Sequence, residues 1–425
     1  MIGGGVIGLA SAWSLARRGA DVTVIERSRC GQGASAGNAG WVTPGLSAPV
    51  PAPGVMRQAA RWMLDADSPL LVRPRPELSF LRWSLRFAQS CRPRAHRAGT
   101  EATLALARDA EEHFDLLRRE GVEFEMHADG LLYLVHDEAE LEPWLRAYEE
   151  LAELGFDGDV VPLAGAELHD LEPAIDGAAA GLLARRERHV RPESLTAGLV
   201  RDLERRGASI EEGTAVSALR PNSSGWRIET HGGDMHADRV VVAAGVWSRE
   251  LLRGAGVDLP LEPAKGYSVT ARGPEPALGR PLYLTEAKVG ASPFDDGSVR
   301  LAGTLELTGI DLGLNERRVG AVARATRSYL PSWRPQAGRR DWAGLRPLTA
   351  DGVPAIGETR PGLFVATGHA MLGITLAPST GEALAPAVLG EDPPEVLTGL
   401  SPLRFARGAA ANGNGHVRPR VGAGA

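Results

Sequence analysis

Cysteine, lysine and long apolar runs are scarce in this chain of 425 residues. Its two cysteines, Cys30 and Cys91, cannot build a disulfide framework, and no Cys-x-x-Cys or Cys/His cluster offers a metal site. A reduced, metal-free protein is expected. No stretch approaches the roughly 18 to 20 consecutive apolar residues of a membrane-spanning helix, and the N-terminus has neither the basic nor the apolar region of a signal peptide. The default location is the cytoplasm, with the inner face of the cytoplasmic membrane as the alternative. Only two lysines occur, Lys265 and Lys288, so nearly all basic charge is arginine, which reads as a compositional bias without functional weight. The formal net charge of -6 gives no reason to expect nucleic acid.

Glycine, by contrast, is abundant, and six of the first eight residues are Gly3-Gly4-Gly5-Val6-Ile7-Gly8. Read as Gly-x-Gly-x-x-Gly, the run puts Gly3 at a tight turn, Gly5 where backbone approaches a pyrophosphate, and Gly8 where a helix packs on a strand. A helical pattern follows to Gly19, and Val22 to Ile25 is a β-branched strand ending at Glu26 and Arg27. An acid about 20 residues beyond the glycines can hold both ribose hydroxyls and repels a 2'-phosphate. A dinucleotide site without a 2'-phosphate is therefore expected, with the phosphate on the helix N-terminus. Such a fingerprint ordinarily follows a strand of about 5 or 6 residues. Only Met1 and Ile2 stand before Gly3, so a start placed too far downstream, weak binding of the dinucleotide and unpaired ladder groups beside Val22 to Ile25 are also expected.

At this length two domains are the prior. The loop from Gly31 to Gly45 is too rich in small residues to pack as an element and suits a flat ligand, with Ser35 and Asn38 as hydrogen-bonding groups. From Arg57 to Arg97, nine arginines stand against three acids among Trp62, Trp83 and Phe87. Two readings are open: a face for an anionic membrane surface, or a solvated helical face with its aromatics in the core. Leu131 to Val135 is a strand, and Leu141 to Leu154 and Ser194 to Arg206 are helices. Val240 to Gly245 reads as a strand buried on both faces whose end meets a ligand. Residues 263 to 342 carry alternating strands and one helix, an antiparallel pattern inserted into the nucleotide fold. The fold expected is α/β: a Rossmann-like domain with a central parallel sheet (1–50, 188–262, 343–408) and an inserted α+β substrate domain (51–187, 263–342). The tail 409–425 reads as disordered.

The glycine start with Glu26, Asn38-Ala39-Gly40, Val240 to Ser248, Lys265-Gly266-Tyr267-Ser268, Gly344-Leu345-Arg346-Pro347 with Asp351-Gly352 and Pro354, and Gly368-His369 with Gly373 together resemble the D-amino-acid oxidase superfamily of FAD-dependent oxidoreductases. Pro44-Gly45, Ala52-Pro53-Gly54 and the Lys-Gly-Tyr-Ser stretch are most similar to bacterial D-amino-acid dehydrogenases. The resemblance spans about residues 1 to 405 and implies non-covalent FAD. It puts Gly3, Gly5, Val6, Ile7 and Gly8 at the pyrophosphate, Glu26 and Arg27 at the AMP part, and the Val216 backbone at adenine. Ser35, Asn38 and Gly40 would line the isoalloxazine, and Ala39, Ala244, Gly245 and Gly344 would also bind the cofactor. The turn Gly373-Ile374-Thr375-Leu376 would aim helix N–H groups at the flavin edge where negative charge accumulates on reduction.

Arg346 matches the arginine that grips the substrate carboxylate in glycine-oxidase-like members, a task suited to a planar fork. His369 is read either as a pocket residue or as a core histidine, and Tyr267 and Tyr283 as caps of the pocket. The implied reaction is oxidative deamination of D-amino acids or cyclic imino acids such as hydroxy-D-proline, by hydride transfer from the α-carbon to flavin N5, electrons passing to a quinone or a partner flavoprotein. An oxygen-using glycine or sarcosine oxidase, and a non-catalytic FAD-binding subunit of a larger complex, are the alternatives.

Overall fold

A computed structural model describes residues 1–63, 68–335 and 338–406; the tail 409–425 lies outside the described residues. Two sheets organise the chain. The first runs Ser209–Glu211, Thr23–Ile25, Ile2, Val240–Val242, Leu363–Thr367, Ala355–Arg360, parallel throughout except for the last pair. Ile2 alone joins its two halves, bridging Ile25 on one side and Val242 on the other. The slot beside the pyrophosphate turn is paired all the same. The Ile25 N–H donates to the Met1 carbonyl at 2.8 Å, the Gly3 N–H to the Ile25 carbonyl at 2.9 Å, and Ile2 exchanges bonds with Val241 and Ala243 at 2.9 and 2.8 Å. The Met1 nitrogen donates to the Thr23 carbonyl at 2.7 Å.

The fingerprint helix, Val6–Arg17, carries apolar or small residues on all sides because it is covered on all sides. Its sheet lies beneath it, and the C-terminal helix Gly373–Leu389 crosses it so closely that a Cβ on Gly381 would stand 2.6 Å from the Ala10 carbonyl. Trp13, 1% exposed, donates its indole N–H to Asp202 at 2.6 Å, and Arg206 neutralises that buried carboxylate at 2.7 Å.

The second sheet has a nine-strand mixed core. Its long strands Leu261–Arg272, Ser298–Leu307 and Arg340–Thr349 pair antiparallel, and Leu131–Val135 adds parallel to Leu282–Leu284. Leu261–Arg272 and Arg340–Thr349 run through the expected domain borders at 262/263 and 342/343. Within 51–187, Leu131–Val135 and Ala180–Ala184 join this sheet. The helices Pro93–Ala107 and Ala110–Arg119 instead send Leu106, Phe114 and Leu117 into the core of the fingerprint helix.

Candidate active site

Between the two sheets lies a cavity of about 1160 Å³, walled at one end by the Gly3 turn and at the other by Arg346. At the first end, Gly3 takes φ +106°, where a Cβ would stand 2.5 Å from the Ala243 carbonyl. Gly8 is forced by packing, since a Cβ there would meet the Gly3 carbonyl at 1.9 Å. Gly5 is different: a Cβ would find only Ser35 Oγ, at 3.5 Å, so its bareness leaves room on the cavity side for a ligand. The Val6 N–H donates to Ser35 Oγ at 2.9 Å, and Leu9 is the first residue bonded back within the helix, to Gly5. The N–H groups of Ile7 and Gly8 remain for an anion.

Glu26 lies on the cavity wall with each carboxylate oxygen held once, by the Gly4 N–H at 2.8 Å and the Ser28 N–H at 3.0 Å. A carboxylate has about four acceptor positions, so it can still take two ribose hydroxyls. Arg27 stacks 3.5 Å over the Trp247 ring, and Val216 lines the same cavity. An FAD-type dinucleotide fits these residues.

The loop 34–40 is fastened before any ligand arrives. Asn38 spends its amide N–H groups on the carbonyls of Ala34 and Ser35 and its side-chain oxygen on the Gly40 N–H. It shapes the loop and has little left for a flavin. Arg300, 3% exposed, reaches across from the second sheet to the carbonyls of Ala36 and Asn38 and pairs with Glu193 at 2.7 Å. Ala39 and Gly40 line the cavity facing Ala244, Gly245 and Gly344. Gly373 and Ile374 also line it, at the N-terminus of the C-terminal helix. Thr375 instead staples that terminus to Trp41 and Thr43, at 3.0 Å each, and the Leu376 N–H is already bonded to Leu372 at 2.9 Å.

Arg346 sits at the inner end. Its Nη1 donates to the Thr304 carbonyl at 3.0 Å, and no carboxylate of the described residues lies within ion-pair distance. Burial holds the guanidinium down to about 10. It rests on Gly266, where a Cβ would stand 2.2 Å from Nη1. That contact corrects the expectation for Tyr267. Neighbours on a strand face opposite ways, so if position 266 faces Arg346 and the cavity, Tyr267 points away. Its hydroxyl donates to Glu306 at 3.2 Å, in a separate cleft with Lys265 and Asp311.

His369 and Tyr283 do line the cavity. His369 Nε2 is 3.0 Å from Thr380 Oγ1, its Nδ1 is buried without a partner, and burial pushes it down to about 3, so the ring is neutral at working pH. Burial raises the Tyr283 phenol above its ordinary range, and its ring meets Trp41 edge-on at 5.5 Å. Sequence reasoning passed over Lys288. It lines the same cavity in a left-handed turn at φ +54°, 5.1 Å from the Trp144 ring, with burial holding its amine below the usual lysine range. Its rarity as one of two lysines was the available signal. Among the described residues Glu26 and Glu250 are the only acids on the wall, so there the inner end offers cations alone.

Away from the cavity, Glu125, His127 and Asp295 bring one ligand atom each within 4.8 Å of the others. Arg191, 3.6 Å from Glu125, already supplies a cation there.

The chain is similar over nearly its whole length to solved flavoenzymes. Glycine oxidase from Geobacillus kaustophilus is 27% identical, covering 94% of this chain and 96% of its own, with a TM-score of 0.71. Iminodiacetate oxidase from Chelativorans is 24% identical (94% and 98% covered, TM-score 0.69), and L-proline dehydrogenase from P. horikoshii 20% (96% and 97%, TM-score 0.71). The model of the FAD-dependent oxidoreductase family matches residues 1–387. The match covers well over half of the chain, and the chain belongs to the FAD-dependent oxidoreductase family.

Proposed function

We propose that the protein oxidatively deaminates D-amino acids or cyclic imino acids such as hydroxy-D-proline and passes the electrons to a quinone or another non-oxygen acceptor. The observation that carries the reading is Arg346, a cation at the inner end of the cavity with one carbonyl partner and no acid among the described residues. Bound FAD supplies the hydride acceptor. The residues bind and orient: Arg346 forks the carboxylate, Lys288 adds positive potential, and Tyr283, Trp41 and Lys288 close the wall around the α-carbon. No residue is asked to carry the α-hydrogen as a proton. A neutral His369 accepts or donates one hydrogen bond through Nδ1 without adding charge. Orientation and exclusion of water supply the acceleration.

An oxygen-using amine oxidase is the second reading, favoured by the similarity to glycine oxidase. Titrating the yellow protein under argon separates the possibilities. Bleaching by D-amino acids and not by L-enantiomers is expected, with turnover sustained by a dye or quinone. Stoichiometric peroxide under air would establish the oxidase, and a flavin that no amine or amino acid bleaches would defeat both.

A further inference from the structure

The helix Leu78–Ser90 has its faces distributed in an unusual way. Phe80, Trp83 and Phe87 turn inward to the cavity wall. Leu78, Leu81 and Leu85, at a spacing that places them on one stripe, point outward and are 69%, 53% and 62% exposed. Arg82 and Arg86 lie beside that stripe, exposed as well. Nearby, the helix Val55–Trp62 buries no residue and borders the same cavity with Met56, while Arg57 and Arg61 occupy its outer side. The loop after Ser298–Leu307 adds Ile310, Leu312 and Leu314, each half exposed or more, and Leu312 reaches the cavity rim. That loop is held in place, because Lys265 bonds Asp311 at 2.6 Å and the Gly313 carbonyl at 3.1 Å.

Exposed leucines and methionines in one region ask for an apolar cover. The charge around them says which kind. Arg57, Arg61 and Arg82 have no carboxylate partner among the described residues, and the stretch from Arg57 to Arg97 has six positive charges in excess within a chain of net charge -6. A second copy docked on this face would set arginine against arginine. A bilayer with anionic headgroups offers the complement of both features, acyl chains for the leucines and phosphates for the arginines. We propose that the face formed by 55–63, 78–86 and 310–314 docks on an anionic lipid surface, with the cavity mouth turned toward it. This inference does not depend on which substrate is oxidised, and its test reads binding instead of turnover.

The FAD-loaded full chain is sedimented with vesicles of phosphatidylcholine alone and with vesicles that include phosphatidylglycerol. Binding to the anionic vesicles only, released by salt, is expected. R82A/R86A weakens it by about 30-fold, roughly fivefold per arginine, and L81E/L85E abolishes it. Both variants keep wild-type melting temperature, flavin content and dye-linked turnover. Equal binding to both vesicle types, or anionic binding untouched by R82A/R86A, overturns the proposal. So does absence of vesicle binding together with a dimer that L81E/L85E converts to monomer, which would show that a second copy covers this face.

Discussion

Replacing Arg346 with methionine should make the protein more stable and nearly inactive toward carboxylate substrates. Burial alone lowers the guanidinium from its ordinary 12.5 to about 10. Each pKa unit is worth about 1.4 kcal/mol, so the charged form carries a cost of about 3 kcal/mol. The side chain is only partly enclosed and water in the cavity returns some of this, leaving about 1 to 3 kcal/mol. The sign follows from the depressed value: at every pH below about 10 the folded state carries the whole cost, so the gain from R346M should not vary between pH 6 and 9. Against it stands the loss of a charge-assisted carboxylate contact, about 2 to 4 kcal/mol, or roughly 30-fold to 1000-fold in kcat/KM. The assay is a melting curve without substrate, a flavin absorbance ratio and steady-state kinetics with a dye acceptor. A variant that melts lower and loses flavin would refute the reasoning, since it would make the bond to Thr304 the residue's purpose. An unchanged KM would place the carboxylate elsewhere.

Glu187 is fully buried, accepting from the Gly45 N–H at 2.8 Å and the Tyr148 hydroxyl at 3.2 Å, and burial pushes it up to about 8. Its folded value lies above the unfolded one of 4.5, so stability falls as pH rises from 4.5 toward 8, by about 3 kcal/mol at pH 7. E187Q should remove that slope, and parallel denaturation curves for the two proteins across this range would exclude it. Gly5→Val should fold normally, because only Ser35 Oγ lies within 4 Å of the added Cβ, yet lose FAD by about 100-fold or more in affinity. Gly8→Ala should fail to fold, and retention of flavin by Gly5→Val would move the pyrophosphate off the turn.

What could be read without coordinates was whatever short-range chemistry decides. The strand Leu131–Val135 lies where its apolar run puts it, and the helix Glu142–Glu153 starts and stops within a residue of its pattern. Glu26 reaches the cavity because a turn and one helix fix its distance from Gly3. Tyr267 went the other way, because alternation gives two faces and only the register with Arg340–Thr349 says which is inside. Arg300 and Lys288 were illegible for a similar reason: each gains its meaning from a partner far away in the chain, Ala36 and Asn38 for one, Trp144 for the other. The helices between Pro93 and Arg119 look like any amphipathic pair, and nothing local says which of the two sheets they will cover.

The tryptophans beside the loop 34–40 carry a consequence for how the chain can vary. Trp342 occupies space that a Cβ on Gly37 or on Gly344 would enter, at 2.2 Å and 2.0 Å, and Trp41 does the same to Gly290 at 2.4 Å. Each indole thus has its bulk matched by bare backbone, Trp342 by Gly37 of the loop and by Gly344 two residues along its own strand, Trp41 by Gly290 of the second sheet. Enlarging any one glycine is blocked while its indole stays, and shrinking an indole alone opens a hole of its own. These positions can change only as sets, so the loop 34–40 on the cavity wall and the strand that bears Arg346 are bound to drift together, a larger residue on one admitted by a smaller residue on the other.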